Sequence, residues 1–462
     1  MSQYMTKKNN LLPIYSIVAI GLIGFGACKI LMGLFPAKSL ESPAPAAIAN
    51  RISLGSRILV ASQTTAEKQA GVQAFAKGDY QTASQKFQAS LQKNRNDPES
   101  MIYLNNATAN ANHAASLKIA VSVPIGSNPN VAQELLRGVA HAQDEVNLRG
   151  GINRRLLQVQ IVNDDNNPNI VKEVATILTK DSSILAVIGH NASNASLAAA
   201  PIYQLEKLVM VSPTSFANDL SGFGSYIFRT VPNISLMAAP LAEYAAKTAG
   251  KTDLAICFDS KAPDNVSFKN EFVVAFTAAG GKLVPSVCDF LSPAFNPESA
   301  LADAVSKGAK ALILLPHIDR IDRAIYTASI NRGKLPLYGS TTMYTFQTLK
   351  NGQKSVEGMI LPVPWHPDTN PGSNFPIDAR RRWGGIVNWR TAMSFDATQA
   401  VIAGLKQNNT REGLQQALRN PNFSALGASE DVRFLPTGDR AGKPILVQVK
   451  QAGTGYNFVP LP

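Results

Sequence analysis

The stretch that decides the fold reads Ala186-Val-Ile-Gly-His-Asn-Ala-Ser-Asn-Ala-Ser-Leu197, then Pro201-Ile-Tyr-Gln204, then Leu208-Val-Met-Val-Ser-Pro-Thr-Ser-Phe216. Two short apolar runs, at 184–188 and 208–211, have the length and composition of buried parallel strands. Each ends abruptly in small polar residues. A helix is predicted between them, from about 195 to 205, and its start carries Asn191, Ser193 and Asn194, residue types that cap helices. In a parallel sheet both polar ends sit at the carboxyl edge, where open α/β sheets bind ligands. Free backbone N–H groups and hydroxyls at a helix start suit an anion. The pattern therefore reads either as half of a small-molecule cleft or as two strand ends capped for stability alone.

Outward from this stretch the alternation continues. Upstream, strands are predicted at 117–123 and 156–162, with helices at 131–149 and 169–180. Gly150-Gly151 closes the first helix. This is a βαβαβ run, which implies a parallel sheet with right-handed crossovers. Downstream, a second run begins after Arg229-Thr-Val-Pro232. Strands are predicted at 254–258, 282–289, 311–315 and 336–338, with helices at 235–249, 267–279, 299–307 and 318–331. Two consecutive α/β sheets imply two lobes with a cleft between them.

The chain has 462 residues, of which 16% are charged and 45% hydrophobic, with a formal charge of +12. That composition supports large cores. The positive charge is scattered, without a basic run interleaved with aromatics, so no nucleic-acid partner is expected. Residues 11–35 are apolar apart from Lys29 and a few small polar residues. They are long enough to cross a bilayer, and Lys7 and Lys8 ahead of them place the N-terminus inside. The expectation is an uncleaved anchor that leaves the rest of the chain facing the periplasm or cell exterior. Phe25-Gly-Ala-Cys28 loosely resembles a lipobox, which makes a lipoprotein the alternative. Residues 36–65 read as an extended linker. Gly71, Phe75, Gly78, Tyr80, Ala83, Phe87 and Leu91 then fall at the spacing of a tetratricopeptide repeat, which 66–112 resembles. A further helix opens at Pro98. Such a segment packs on its neighbour, binds a partner, or is a plain helical stalk.

Residues 117–462 resemble the type I periplasmic binding proteins of the leucine/isoleucine/valine-binding group. The resemblance rests on Val123-Pro124, Gly150-Gly151-Ile152, Asp164-Asp165, Ile188-Gly-His-Asn-Ala-Ser193, Val211-Ser-Pro-Thr214, Phe228-Arg-Thr230, Ser394-Phe-Asp-Ala-Thr-Gln-Ala400 and Phe434-Leu-Pro-Thr-Gly-Asp439. It implies a two-lobed α/β fold of two doubly wound parallel sheets joined by three crossovers. Lobe one would span about 117–235 and 361–436, and lobe two about 236–360 and 437–462. It also implies a solute-binding function for an ABC permease, with a small polar ligand, an amino acid or a related compound, between the lobes. A receptor-like sensor using the same cleft is the alternative.

The resemblance assigns the ligand carboxylate to Ser193, beside Asn194, and closes Thr214, Ser215 and Phe216 around the ligand's polar groups. From lobe two, Asn265, Ser267 and Thr341 would contribute. Three positions depart from the family pattern. Phe216 stands where threonine is usual, Gly339-Ser340-Thr341 where a Gly-Pro-Glu supplies a carboxylate to the ligand ammonium, and Asp264-Asn-Val-Ser267 where a Tyr-Gly turn is usual. A buried ammonium needs a charged partner or several acceptors. The ligand is therefore less zwitterionic than a plain amino acid, or it recruits Asp259 or Asp264. Nucleophile elbows, phosphate loops and dinucleotide fingerprints are missing from the sequence. The histidines at 113, 141, 190, 317 and 366 show no metal spacing. No catalytic residue, metal or cofactor is expected, and His190 reads as a packed strand-end residue. Cys257 and Cys288 end two strands that should be neighbours, and they read either as a disulfide formed in an oxidising compartment or, as the favoured reading, as two buried thiols on opposite strand faces.

Overall fold

The computed structural model describes residues 45–461 apart from Pro371. The anchor expected at 11–35 lies outside them, as does Cys28. Among the described residues no helix is long and apolar enough to cross a membrane.

The first sheet has six strands in the order β1-β3-β2-β4-β5-β6. They are β1 (Ile52–Ser53), β2 (Ser116–Val123), β3 (Leu156–Asn163), β4 (Ile184–Ile188), β5 (Val209–Ser212) and β6 (Ile227–Arg229). All pair in parallel except β1, which runs antiparallel to β3 with Ile52 opposite Val162. Two residues of the expected linker thus form an edge strand of this sheet, their backbone paired rather than free. The second sheet has the order β13-β12-β11-β10-β9-β7-β8. These strands are β7 (Asp253–Phe258), β8 (Lys282–Leu283), β9 (Ala311–Leu315), β10 (Leu337–Gly339), β11 (Ile360–Val363), β12 (Ile445–Ala452) and β13 (Gly455–Pro460). Here β12 and β13 form an antiparallel hairpin at one edge. Because β11 belongs to the second sheet, the return to lobe one falls after Val363 rather than at 361.

The strand expected over 282–289 stops at Leu283. Pro285 has no N–H to continue the ladder, and the chain rejoins β7 only through a bridge between Asp289 and Phe258. Off the ladder, Cys288 is not held to a strand face. Cys288 therefore meets Cys257 across a Cα separation of 4.6 Å, and the two form a disulfide.

The helices Ala66–Ala76, Tyr80–Lys93 and Pro98–Ala111 pack in series and then onto lobe one. Gly71 is required where the first two meet, since a Cβ there would sit 2.7 Å from the Phe87 ring. Lys68, Asp97 and Glu99 form a fully buried ion cluster. Glu99 also accepts from the Leu59 amide at 2.7 Å. Asn106 binds both sides of the junction: its Nδ2 donates to Leu54 O and Val159 O, and its Oδ1 accepts from Val159 N and Gln143 Nε2. The helical segment therefore packs on its neighbour.

Lobe one is closed by the helix Trp389–Gln407 lying against the helix Pro129–Leu148. The two backbones approach so closely at Gly138 that a Cβ would sit 2.1 Å from Ser394 Oγ and 2.3 Å from Thr391 O. This contact fixes the start of the Trp389 helix, and with it Trp389 and Arg390, at the mouth of the cleft. Where the chain crosses between lobes, the buried pair Arg229–Asp439 (2.5 Å) and the buried pair Arg440–Asp396 tie the strands down.

Candidate ligand cleft

β4 ends at Ile188, and the next helix starts at Ser193 (Ser193–Leu205). Its N-cap is Ala192, which has no side chain able to cap, so the polar residues expected to cap it do not. Instead Ser193 Oγ accepts from the amides of Phe216 (3.1 Å) and Ala217 (3.2 Å). A serine hydroxyl has two acceptor positions and one proton. With both acceptor positions filled by fixed amides, the proton remains for an acceptor in the cleft. The uncapped first-turn N–H groups and the positive end of the helix dipole favour that acceptor being an anion.

A cavity of about 30 Å³ lies at this helix start between the lobes. Lobe one contributes Asn191, Ser193, Thr214, Phe216, Trp389 and Arg390; lobe two contributes Asp264, His317, Ile318 and Thr342. The lobes are apposed around it by hydrogen bonds. Asn128 Nδ2 donates to Asp319 Oδ1 (2.7 Å), Asn218 N to Ser267 Oγ (3.1 Å), Asn218 Nδ2 to Glu271 Oε1 (2.8 Å) and Arg390 Nη1 to Tyr344 O (2.7 Å). A larger cavity of about 440 Å³ lies beside it, with Tyr344, Phe346, His366 and Trp383 on its walls. Among its described lining residues only Trp383 Nε1 is buried without a partner.

The smaller cavity is the chemically loaded one. Buried polar groups are nearly always hydrogen-bonded, so each exception calls for an explanation. Here the exceptions cluster. Of the residues that line it, Trp389 Nε1 and Arg390 Nε on the lobe-one side, and Asp264 Oδ1 and His317 Nε2 on the lobe-two side, have no protein partner; Asn194 Oδ1, Asn265 Nδ2 and Ser340 Oγ are also unpartnered but belong to residues outside the lining. Asp264 as a residue is partly exposed, while its Oδ1 is buried; burial raises its carboxyl above the usual range. Burial pulls His317 the other way, toward the neutral ring, but its contact with Asp319 and the charges of Asp264 and Asp319 leave its pKa above the ordinary imidazole value.

The residues expected at the site divide. Ser193, Thr214 and Phe216 line the cavity. Thr214 Oγ1 is engaged by Asn191 O (2.8 Å), and the Phe216 ring lies 5.9 Å from that of Trp389. Asn194 and Asn265 each keep a buried polar atom free. Ser215 is spent inside lobe one on Ser196 Oγ and Asn191 O, and Thr341 inside lobe two on Pro362 O (2.8 Å). Ser267 holds the lobes together through Asn218 rather than facing the cavity. Of the two candidate aspartates, Asp259 is buried against Arg320, which leaves Asp264. His190 packs at the strand end, with Nδ1 2.6 Å from Asp164 Oδ2. Sequence reasoning missed Trp389, Arg390 and His317.

This architecture of two sheets, three crossings and a polar interlobe cleft is that of a periplasmic binding protein. The sequence model of the periplasmic binding protein family matches residues 116–454, and the chain belongs to that family. The Leu/Ile/Val-binding protein of Escherichia coli (strain K12) is 26% identical over 322 residues, which cover 66% of this chain and 83% of the relative. Among solved structures, a leucine-binding protein from Thermotoga maritima superimposes with a TM-score of 0.67 at 22% identity, over 74% of this chain and 97% of the other. An ABC-transporter solute-binding protein from R. palustris, in complex with 4-hydroxybenzoate, gives 0.65 at 16% identity, over 75% and 96%. At these identities the structures speak for the fold.

Proposed function

We propose that this chain is an extracytoplasmic solute-binding protein serving an ABC permease, and that its ligand is an α-amino acid or a close relative. The observation that carries the reading is that four unpartnered buried polar atoms, on Trp389 and Arg390 from lobe one and on Asp264 and His317 from lobe two, belong to residues lining one small cavity. The ligand carboxylate sits at the start of the Ser193 helix, receiving the Ser193 proton and first-turn N–H groups. The ligand ammonium pairs with Asp264, which takes over the role of the glutamate that Thr341 replaces. The cavity holds only water-sized groups, so the lobes part to admit the ligand and close on it. The relative that binds leucine, isoleucine and valine supports an amino-acid ligand. The disulfide suits an oxidising compartment outside the cytoplasm, and the apolar run at 11–35 supports attachment to the membrane. The receptor-like alternative drew on the helical segment, whose apolar face is used up within the chain.

The test is a thermal-shift screen of amino acids and small carboxylic acids on the full-length chain, extracted from salt-washed membranes. At least one α-amino acid should raise the melting temperature, with a stoichiometry of one per chain by calorimetry. A panel in which no amino acid shifts the transition overturns the reading, and a chain that stays soluble after fractionation overturns the attachment.

A further inference from the structure

Three arginines are buried among the described residues: Arg229, Arg390 and Arg440. Arg229 pairs with Asp439, and Arg440 with Asp396. Arg390, 4% exposed, has no described carboxylate within 4.0 Å. Its Nη1 donates to Tyr344 O, its guanidinium lies 4.4 Å from the centre of the Trp389 ring, and its Nε is buried without a partner at the cavity wall. Glu134, whose charge reaches it, is engaged by Arg137 and Thr391. Burial pushes the Arg390 pKa down to about 10, which leaves it charged at neutral pH. A buried charge without a counter-charge is costly, and arginine's planar donors match a carboxylate.

We propose that Arg390 is a specificity-determining residue that pairs with a second, side-chain carboxylate of the ligand, so that the cleft selects acidic α-amino acids over branched aliphatic ones. This rests on the reading of the cleft as an amino-acid site. The charges then match group by group. The α-carboxylate meets the Ser193 helix start, the ammonium meets Asp264, and the side-chain carboxylate meets Arg390, with Trp389 Nε1 beside it as a second free donor. Phe216 and Ile318 supply apolar surface for the intervening methylenes. A leucine side chain in the same place would cover the guanidinium with hydrocarbon and leave its charge unpaired.

The test is calorimetric titration of the full-length chain with glutamate, aspartate, leucine and 4-hydroxybenzoate, repeated on Arg390→Gln and Arg390→Lys. Glutamate or aspartate should bind the unmodified chain at least about tenfold more tightly than leucine, the size expected of a charge-assisted hydrogen bond. Arg390→Gln should remove most of that preference, and Arg390→Lys should restore part of it. Leucine binding as tightly as the acidic amino acids, or a preference unchanged in Arg390→Gln, overturns the assignment while leaving the amino-acid reading intact. Binding of 4-hydroxybenzoate alone, or of none of the four, overturns the assignment, and the amino-acid reading falls with it if no amino acid of the thermal-shift panel binds. The preference of the unmodified chain decides the matter even if the variants fold poorly.

Discussion

On the lobe-one wall of the cleft, Ser193 holds two amides of the neighbouring turn and keeps its proton for a ligand. On the lobe-two wall, Asp264 and His317 each hold a buried polar atom that nothing in the protein satisfies. Apart from Trp389 Nε1 and Arg390 Nε, which have no partner, the first wall is built before the ligand arrives. Its donors are fixed by hydrogen bonds to the backbone, and the Trp389 helix is locked in register by the close approach at Gly138. The second wall is completed only by what binds. An unsatisfied buried group costs about 1–3 kcal/mol, so ligand binding relieves a cost already present in the closed form. On the proposed reading the walls divide the ligand: lobe one holds both carboxylates, at Ser193 and Arg390, and closure onto lobe two brings Asp264 to the ammonium.

The sharpest way to break this contrast is at Ser193. Ser193→Ala removes the hydroxyl donor and leaves two buried amides without an acceptor. Affinity for the bound amino acid should fall about tenfold to a hundredfold, and stability by about 1–3 kcal/mol. Ser215→Ala is the control three residues into the neighbouring turn. It removes a hydroxyl equally buried but spent on Ser196 and Asn191, so stability should fall by about 1 kcal/mol and affinity by less than about threefold. Calorimetry and chemical denaturation of both variants check this. Equal loss of affinity in the two would mean that lobe one's wall is not divided as described.

A smaller effect sharpens the picture on the other side. His317 has a raised pKa in the folded chain, so its contribution to stability is fully present below the ordinary imidazole range and is lost as pH rises through the raised value. Asp319, which accepts from Asn128 across the cleft, is held below the usual carboxylate range: burial opposes this, but the His317 contact, the Asn128 bond and the charges of His317 and Arg320 outweigh it. Its contribution is present above that range and lost as pH falls. The melting-temperature difference between the unmodified chain and His317→Gln should therefore shrink as pH rises from the ordinary imidazole range through the raised value. A difference that does not vary with pH would remove His317 from the account of the lobe-two wall.

Much of the fold was legible because strand and helix periods alternate cleanly from Ser116 onward, and the apolar runs of β4, β5 and β9 admit only a buried reading. What escaped was set by non-local contacts. Ile52–Ser53 is too short to read as a strand until β3 offers its edge. Pro285 ends β8 early and brings Cys288 onto Cys257. The site was half legible for a similar reason. Ser193, Thr214 and Phe216 sit at strand ends, which sequence reveals, whereas the inward turn of Ser215 and Thr341 depends on partners far along the chain. Arg390 had a signal that went unused: a lone charge in the Trp389–Gln407 helix start, four residues before the Ser394-Phe-Asp motif, in a turn otherwise made for burial.

The measurement closest to the central claim is a ligand–mutant cycle at Asp264. The bound α-amino acid and the same acid lacking its amino group are titrated into the unmodified chain and into Asp264→Asn. If the carboxylate belongs to the Ser193 helix start and the ammonium to Asp264, the substitution should weaken the amino acid by about a hundredfold, as expected when one partner of a buried charge pair is removed. The des-amino acid should bind both proteins within about threefold of each other, since it has no ammonium to lose. Equal weakening of both ligands by Asp264→Asn would contradict the account.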